Sequence, residues 1–357
     1  MLTTSSPIRP QANRLPIFRG KSDEPSIDRL GFGCAPIGNL YTEITDWTAD
    51  ETMREAHRLG MRYFDTAPHY GFGLSEERLG RFVASVNRDE LTISTKVGRR
   101  LEPIDPAKAT GLRHGFFNGY PFEPVFDYTY DGIMRSFEQS LERLGVSTVD
   151  ILYAHDLGEA THGAEAQRHW EAFAKNGYRA MQQLKSSGAV KAIGLGANEW
   201  QVCRNAMVLF DMDVFLLAGR YTLLEQREAI DFLAHCLDAR IELVVGGPFN
   251  SGILATKGEG RAYYNYGDVP AEIAEKANAL RRTLHDFGVP LHRAALQFPF
   301  FHPAVGNVLA GFASIEEVRA AGDALRQPIS NKAWDKLRTK GLINPRAAIP
   351  GLSGELM

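Results

Sequence analysis

The chain has 357 residues, of which 44% are hydrophobic, 10% aromatic and 23% charged, an ordinary globular mixture that excludes a fibrous repeat or a chain disordered throughout. Its formal net charge of -3 offers no cationic footprint to phosphate backbones or anionic lipid, so the expected partner is a small molecule, with no nucleic acid and no membrane.

Residues 1–29 are rich in Pro, Ser and charge and are expected to be an N-terminal extension rather than core. From there short apolar runs alternate with amphipathic stretches. In chain order the patterns predict strand 30–34, helix 49–59, strand 62–65, helix 75–85, strand 91–96, helix 130–144 and strand 149–155. They continue with helix 170–186, strand 190–196, helix 199–210, strand 214–217, helix 226–239, strand 241–246, helix 271–287, strand 305–310 and helix 314–325. Gly60, Gly145, Gly188 and Gly288 stand just past the last apolar turn of four helices, where a left-handed residue closes a helix. Strand and helix alternate eight times, which demands a parallel sheet covered by helices and favours closure. The expected fold is α/β, a (β/α)8 TIM barrel forming one domain over residues 30–357.

Two connections exceed mere linkage. Residues 97–128 carry five aromatic residues, Phe116, Phe117, Tyr120, Phe122 and Phe126, ahead of Tyr128, and residues 256–268 read TKGEGRAYYNYGD. Long loops in compact domains are usually functional, and in a β/α barrel these two follow strand ends on the C-terminal face, where active sites are built.

The sharpest cluster begins at YFDTAPHYG, residues 63–71, which puts Asp65 at the end of the second strand and Tyr70 on the following loop. Lys96 ends the third strand and His155 the fourth. Neighbouring strands lie about 4.8 Å apart, so these ends come within side-chain reach. A tyrosine is a poor acid or base at neutral pH, and an adjacent ammonium favours its phenolate. Lys96 is expected to supply that ammonium, Asp65 to hold it, and His155 to hydrogen-bond a reacting oxygen. Taken singly each is an ordinary polar strand-end residue; together they make a proton relay beside a carbonyl or carbinol. Cys34, Cys203 and Cys236 form no CxxC pair and no zinc spacing, so no metal is expected. The segment MLTTSSPIRPQANRLP has no apolar signal core and no apolar run reaches the roughly 18 residues of a membrane span, so the expected location is cytoplasmic.

DTAPHYG, the strand-terminal Lys96 and His155, and GLGANEW at 194–200 resemble the aldo-keto reductases over about residues 28–325. The resemblance implies a barrel that binds NAD or NADP without a Rossmann motif, with Asp65, Tyr70, Lys96 and His155 as the catalytic tetrad. It further implies cofactor contacts from Gly33, Cys34 and Asn198, from Gly246, Gly247, Pro248, Phe249, Ser251 and Gly252, and from Gly311, Ala313, Ser314 and Glu317. No GxGxxG follows a strand, which agrees. Three positions depart from the family: Ala197 replaces a common serine, Ala218 a glutamine and Gly246 an aromatic residue. Glu316 and Glu317 occupy the stretch matching the 2′-phosphate pocket, with no Arg or Lys before Arg319, so NAD is expected over NADP.

Within the family the glycine-rich segments at 30–41, 155–158 and 245–252 are most similar to aldose 1-dehydrogenases acting on D-threo-aldoses and L-fucose, with pyridoxal 4-dehydrogenases and L-galactose dehydrogenases also similar. That likeness implies oxidation of the C1 hydroxyl of a cyclic aldose to a lactone. Tyr41, Trp47, His69 and His155 are candidate sugar contacts. The alternatives are a general NADPH-dependent aldehyde or ketone reductase, in which Tyr70 acts as acid, and a nicotinamide-sensing regulatory subunit. The sequence leaves room for a homo-oligomer.

Overall fold

The computed structural model describes residues 17–18, 24–255, 263–265 and 267–351. Eight of its strands are parallel and close on themselves: β1 (Leu30–Gly33), β2 (Tyr63–Asp65), β3 (Thr92–Val97), β8 (Val149–His155), β9 (Val190–Ala197), β10 (Val214–Ala218), β11 (Glu242–Gly246) and β12 (Val305–Gly311). Four others, β4 (Arg99–Pro103), β5 (Leu112–Arg113), β6 (Phe116–Phe117) and β7 (Phe122–Phe126), lie outside the barrel. Barrel strands are buried on both faces, which is why they read as continuous apolar runs; every residue of β8 is buried. Tyr63, Ile151, Tyr153, Ala192, Val214, Leu216, Val244 and Leu309 form the interior cluster. Phe18, from the segment expected to be an extension outside the core, is buried against Tyr63 with ring centroids 4.9 Å apart.

The helices are α1 (Asp46–Leu59), α2 (Leu74–Val83), α3 (Tyr130–Leu144), α4 (Glu159–His162), α5 (Ala166–Ala172), α6 (Tyr178–Ser186), α7 (Trp200–Leu209), α8 (Ile230–Asp238), α9 (Ala271–His285), α10 (Leu291–Gln297), α11 (Ile315–Arg326) and α12 (Asn331–Thr339). Local chemistry sets their ends. Thr129 Oγ1 accepts from Gly132 N at the start of α3 and Gly145 closes it at φ +63°. The helix expected over 170–186 is divided by a π turn at Phe173–Gly177, whose last residue, Gly177, packs against the Tyr128 carbonyl where no Cβ fits. The helix expected from 226 starts four residues later, since the Gln226 amide is committed to the carbonyls of Thr222 and Leu223. α10 and α12 carry too short a periodic signal to stand out in the sequence; α12 packs its buried Trp334 against Phe298 and Phe301. Among the described residues no helix is long and apolar enough to cross a membrane.

The connection at 97–128 is ordered into two nested hairpins, β4 with β7 and β5 with β6. Its inner turn docks on the loop after β1 through Tyr41 N to Gly115 O and Phe117 N to Asn39 O, both 3.0 Å. Gly98 turns the chain out of β3 into this hairpin at φ +99°, and any Cβ there would collide with the Tyr128 ring. Gly98→Ala is therefore expected to cost about 2 kcal/mol or more; a melting temperature equal to that of the parent protein would refute this. Of the second long connection, residues 256–262 and 266 lie outside the described residues.

Candidate active site

The barrel register assembles the polar cluster. Asp65 pairs with Ser94 across β2 and β3, and Lys96, two residues on, shares the inward face of Ser94. Asp65 thus receives Ser94 Oγ on Oδ1 and Lys96 Nζ on Oδ2, both at 2.6 Å. Lys96 Nζ also donates to Thr66 O at 2.9 Å and lies 4.7 Å from the Tyr70 ring centroid. The pair is almost sealed, at 1% and 2% exposure. Tyr70 opens a tight turn in which Gly71 and Phe72 are left-handed. Lys96 is level with Tyr153 on β8, so His155 stands one pleat further along, its ring edge-on to Tyr70 at 6.0 Å.

Burial governs the protonation states. It raises the Asp65 carboxyl, opposed by Lys96 and the Ser94 hydroxyl. It also pushes the Tyr70 phenol well above its ordinary value; Asp65 and Asp156 push the same way, and Arg99 opposes them. The expectation that Lys96 makes Tyr70 acidic is thereby corrected. The hydrogen bonds of Lys96 go to Asp65 and Thr66, and its charge is largely matched by Asp65, so desolvation of the phenolate wins. His155 is driven well below its ordinary value by burial and then by Arg99, Lys96 and His69, so it is neutral. Among the described residues the buried Nδ1 atoms of His155 and His69 have no partner.

A cleft of about 570 Å³ opens on this cluster and runs past the ends of β11 and β12. Of the residues singled out in the sequence, Gly33, Tyr41, Asp65, Tyr70, Asn198, Gly246, Gly247, Pro248, Phe249, Ser251, Gly252, Gly311, Ala313 and Glu317 line it. Lys96 and His155 touch Tyr70 without lining the cleft. Others are placed elsewhere. Cys34 is fully buried with its thiol toward the Phe32 carbonyl, at 3.8 Å, and does not reach the cleft. Ser314 is the N-cap of α11, its hydroxyl accepting from Glu317 N. Trp47 is 69% exposed in the first turn of α1 and lines nothing. His69 is off the cleft wall but packs against His155, with ring centroids 6.2 Å apart.

The cleft suits a nicotinamide dinucleotide. Gly33 and Gly311 let its floor pack closely: a Cβ on Gly33 would meet the Ala310 carbonyl at 3.2 Å and one on Gly311 would meet Pro36 at 2.9 Å. Gly247, Asn250, Ser251 and Gly252 all have positive φ, a concave backbone suited to anionic oxygens. Tyr41 is held left-handed at φ +63°, with its ring stacked on Tyr263 at 5.1 Å. The wall carries no Arg or Lys among the described residues. Glu317 Oε2 accepts from Ala313 N at 2.7 Å, and Arg319 is turned to Glu55 at 2.7 Å. A Cβ on Gly246 would come 3.2 Å from Leu216 and 3.4 Å from Ala218, so leucine and alanine flank this part of the wall. Among the described residues no group of His, Cys, Asp and Glu could hold a metal ion.

Sequence reasoning missed Ser94, Arg99 and Asp156. Ser94 was readable in principle, being two residues before Lys96 on the same strand face. Arg99 was not, because nothing in a loop sequence says which way its hairpin folds.

The aldo/keto reductase family model matches residues 29–341. The chain is 41% identical over 328 residues to a pyridoxal 4-dehydrogenase of Microbacterium luteolum, covering 89% of this chain and 95% of that protein. It is 35% identical over 324 residues to a D-threo-aldose 1-dehydrogenase of a Pseudomonas species, with coverage of 89% and 95%. The holo form of an aldo-keto reductase from Bacillus halodurans superposes with a TM-score of 0.67 at 24% identity, covering 91% of this chain and 94% of that one, a likeness of fold.

Proposed function

The chain belongs to the aldo/keto reductase family, and on that premise we propose that it is an NAD-dependent dehydrogenase oxidising the carbinol of a cyclic hemiacetal, an aldose of the L-fucose, L-galactose or D-arabinose type, to its lactone. The observation that carries this reading is the buried Lys96–Asp65 pair under the Tyr70 ring, with neutral His155 beside it, at the end of a cleft whose lining includes no Arg or Lys among the described residues. Asn198 and the backbone of Gly247–Gly252 would hold the dinucleotide, with Ala313 and Glu317 at its adenosine end. The bound nicotinamide supplies a hydride acceptor. Tyr70 Oη takes the hydroxyl proton as the C1–H bond gives up its electron pair, and His155 positions the hydroxyl oxygen. The products are the lactone, the reduced dinucleotide and one proton.

A second reading has its own support in the 41% identity to a pyridoxal dehydrogenase. Pyridoxal closes through its hydroxymethyl group onto its aldehyde, giving a cyclic hemiacetal with the same reacting carbinol. The aromatic surroundings of Tyr70, namely Phe116 at 6.0 Å and the His69 and His155 rings, suit a flat heteroaromatic ring.

A panel of L-fucose, L-galactose, D-arabinose and pyridoxal, assayed with NAD and with NADP, tests both. Absorbance from reduced dinucleotide is expected with at least one of them; none with any would overturn the dehydrogenase reading and revive the sensing-subunit alternative. Glu317, on a wall with no Arg or Lys among the described residues, is expected to favour NAD by about ten-fold or more in kcat/KM, and a preference for NADP would refute that. The pH dependence has a definite sign. A phenol held above its ordinary value is scarce as phenolate at neutral pH, so oxidation is expected to accelerate with rising pH, by up to about ten-fold per unit, while carbonyl reduction does not.

A further inference from the structure

A second buried ion pair adjoins the catalytic cluster. Asp156 follows His155 and stands left-handed at φ +48°, a conformation Asp tolerates better than most residues, which folds its carboxylate back over its neighbour. Asp156 Oδ2 lies 3.4 Å from His155 Nε2 and accepts from the Arg99 guanidinium. Arg99 is the first residue of β4, with its guanidinium 5.1 Å from the Phe126 ring centroid. The side chains of the pair are 10% and 12% exposed. The backbone between them is clamped by Tyr128 Oη, which donates to His155 O at 2.6 Å.

A carboxylate this close to an imidazole would by itself draw a second proton onto the ring. An imidazolium has no lone pair and would repel the ammonium of Lys96. The groups facing His155 are Lys96 and Asp65 from the barrel, His69 and Tyr70 from the turn after β2, Arg99 from the hairpin and Asp156; His162 reaches Tyr128 Oη from α4 at 3.0 Å. Lys96 and Asp65 answer each other, so Arg99 is what stands against Asp156.

We propose that Arg99 is a positioning residue for His155: by pairing with the Asp156 carboxylate, 3.4 Å from the ring, it offsets that charge so that the ring takes no second proton and its Nε2–H stays available to the reacting oxygen. This rests on the reading that His155 hydrogen-bonds the reacting oxygen. It makes the 97–128 hairpin part of the proton chemistry, in addition to a cover for the substrate.

The test is a histidine-labelled NMR titration, with His155 assigned by its Asn variant, alongside kcat/KM profiles. In the parent protein His155 is expected not to titrate across about pH 5.5–8.5. In Arg99→Met its pKa is expected to rise by about one unit or more, with kcat/KM falling about ten-fold per unit below it. Arg99→Lys is expected to behave as the parent, and Arg99→Met/Asp156→Asn to restore a ring that does not titrate. A merely structural Arg99 would lower activity equally at every pH, with no recovery in the double variant. Silence of His155 in Arg99→Met, or a shift that persists in the double variant, overturns the proposal. Should Arg99→Met not fold, Arg99→Gln decides by the same titration: a raised His155 pKa is expected, and an unchanged one overturns the proposal. The NMR reading needs no substrate, so failure of the substrate panel and failure of this inference are separate results.

Discussion

Tyr70→Phe is expected to lower kcat/KM by about a thousand-fold or more, the range a single well-placed proton-transfer group contributes, with dinucleotide affinity nearly unchanged. The substitution removes one oxygen from a ring whose packing against Phe116, His155 and the Lys96 ammonium is otherwise retained. Hydride transfer from a carbinol that keeps its proton would place a positive charge on oxygen inside a site where burial is the leading influence on Asp65, Tyr70 and His155. Both parameters can be read from one preparation, by steady-state kinetics and by fluorescence titration with the reduced dinucleotide. A loss of less than about ten-fold would remove Tyr70 from the reaction, whereas a parallel loss of affinity would mean that the hydroxyl serves the cofactor rather than the proton.

Lys96→Met has the second large effect, and it falls on stability as well as turnover. It leaves Asp65 sealed at 1% exposure, with the 2.6 Å bond from Ser94 as its remaining side-chain partner. Removing one partner of a buried pair costs about 3–5 kcal/mol, because the other charge stays uncompensated. Asp65→Asn/Lys96→Met is therefore expected to melt well above Lys96→Met alone while remaining inactive. The pH dependence follows from the direction of the Asp65 shift. A carboxyl raised in the folded state binds its proton before the unfolded chain does, so the deficit is full at neutral pH and shrinks as pH falls toward the ordinary carboxylate range. A deficit that grew on acidification, or a double variant no more stable than the single, would show that the cost lies in packing rather than in the stranded charge.

The eight barrel strands and the helices between them were legible because the pattern is strong at every unit. Strand interiors such as β8 are apolar on both faces, and glycines stand at the helix ends where the chain must turn left-handed. The strand-end positions of Asp65, Lys96 and His155 followed from that alternation. Their convergence then needed only the spacing of neighbouring strands. Less legible were features that depend on contacts far apart in sequence. The π turn at Phe173–Gly177 ends where residue 177 meets the Tyr128 carbonyl, and Cys34, next to the lining residues Gly33 and Ala35, faces inward rather than into the cleft.

The acidity of Tyr70 marks the boundary. Residue types at strand ends determined that a phenol, an ammonium, a carboxylate and an imidazole would meet at one mouth, since periodicity and strand spacing are local properties of the chain. Whether the phenol rests as acid or base was decided only by tertiary structure. Desolvation is set by everything packed around a group, and here the ammonium is matched by Asp65, while Arg99 and Asp156 arrive from a hairpin whose fold no local pattern encodes.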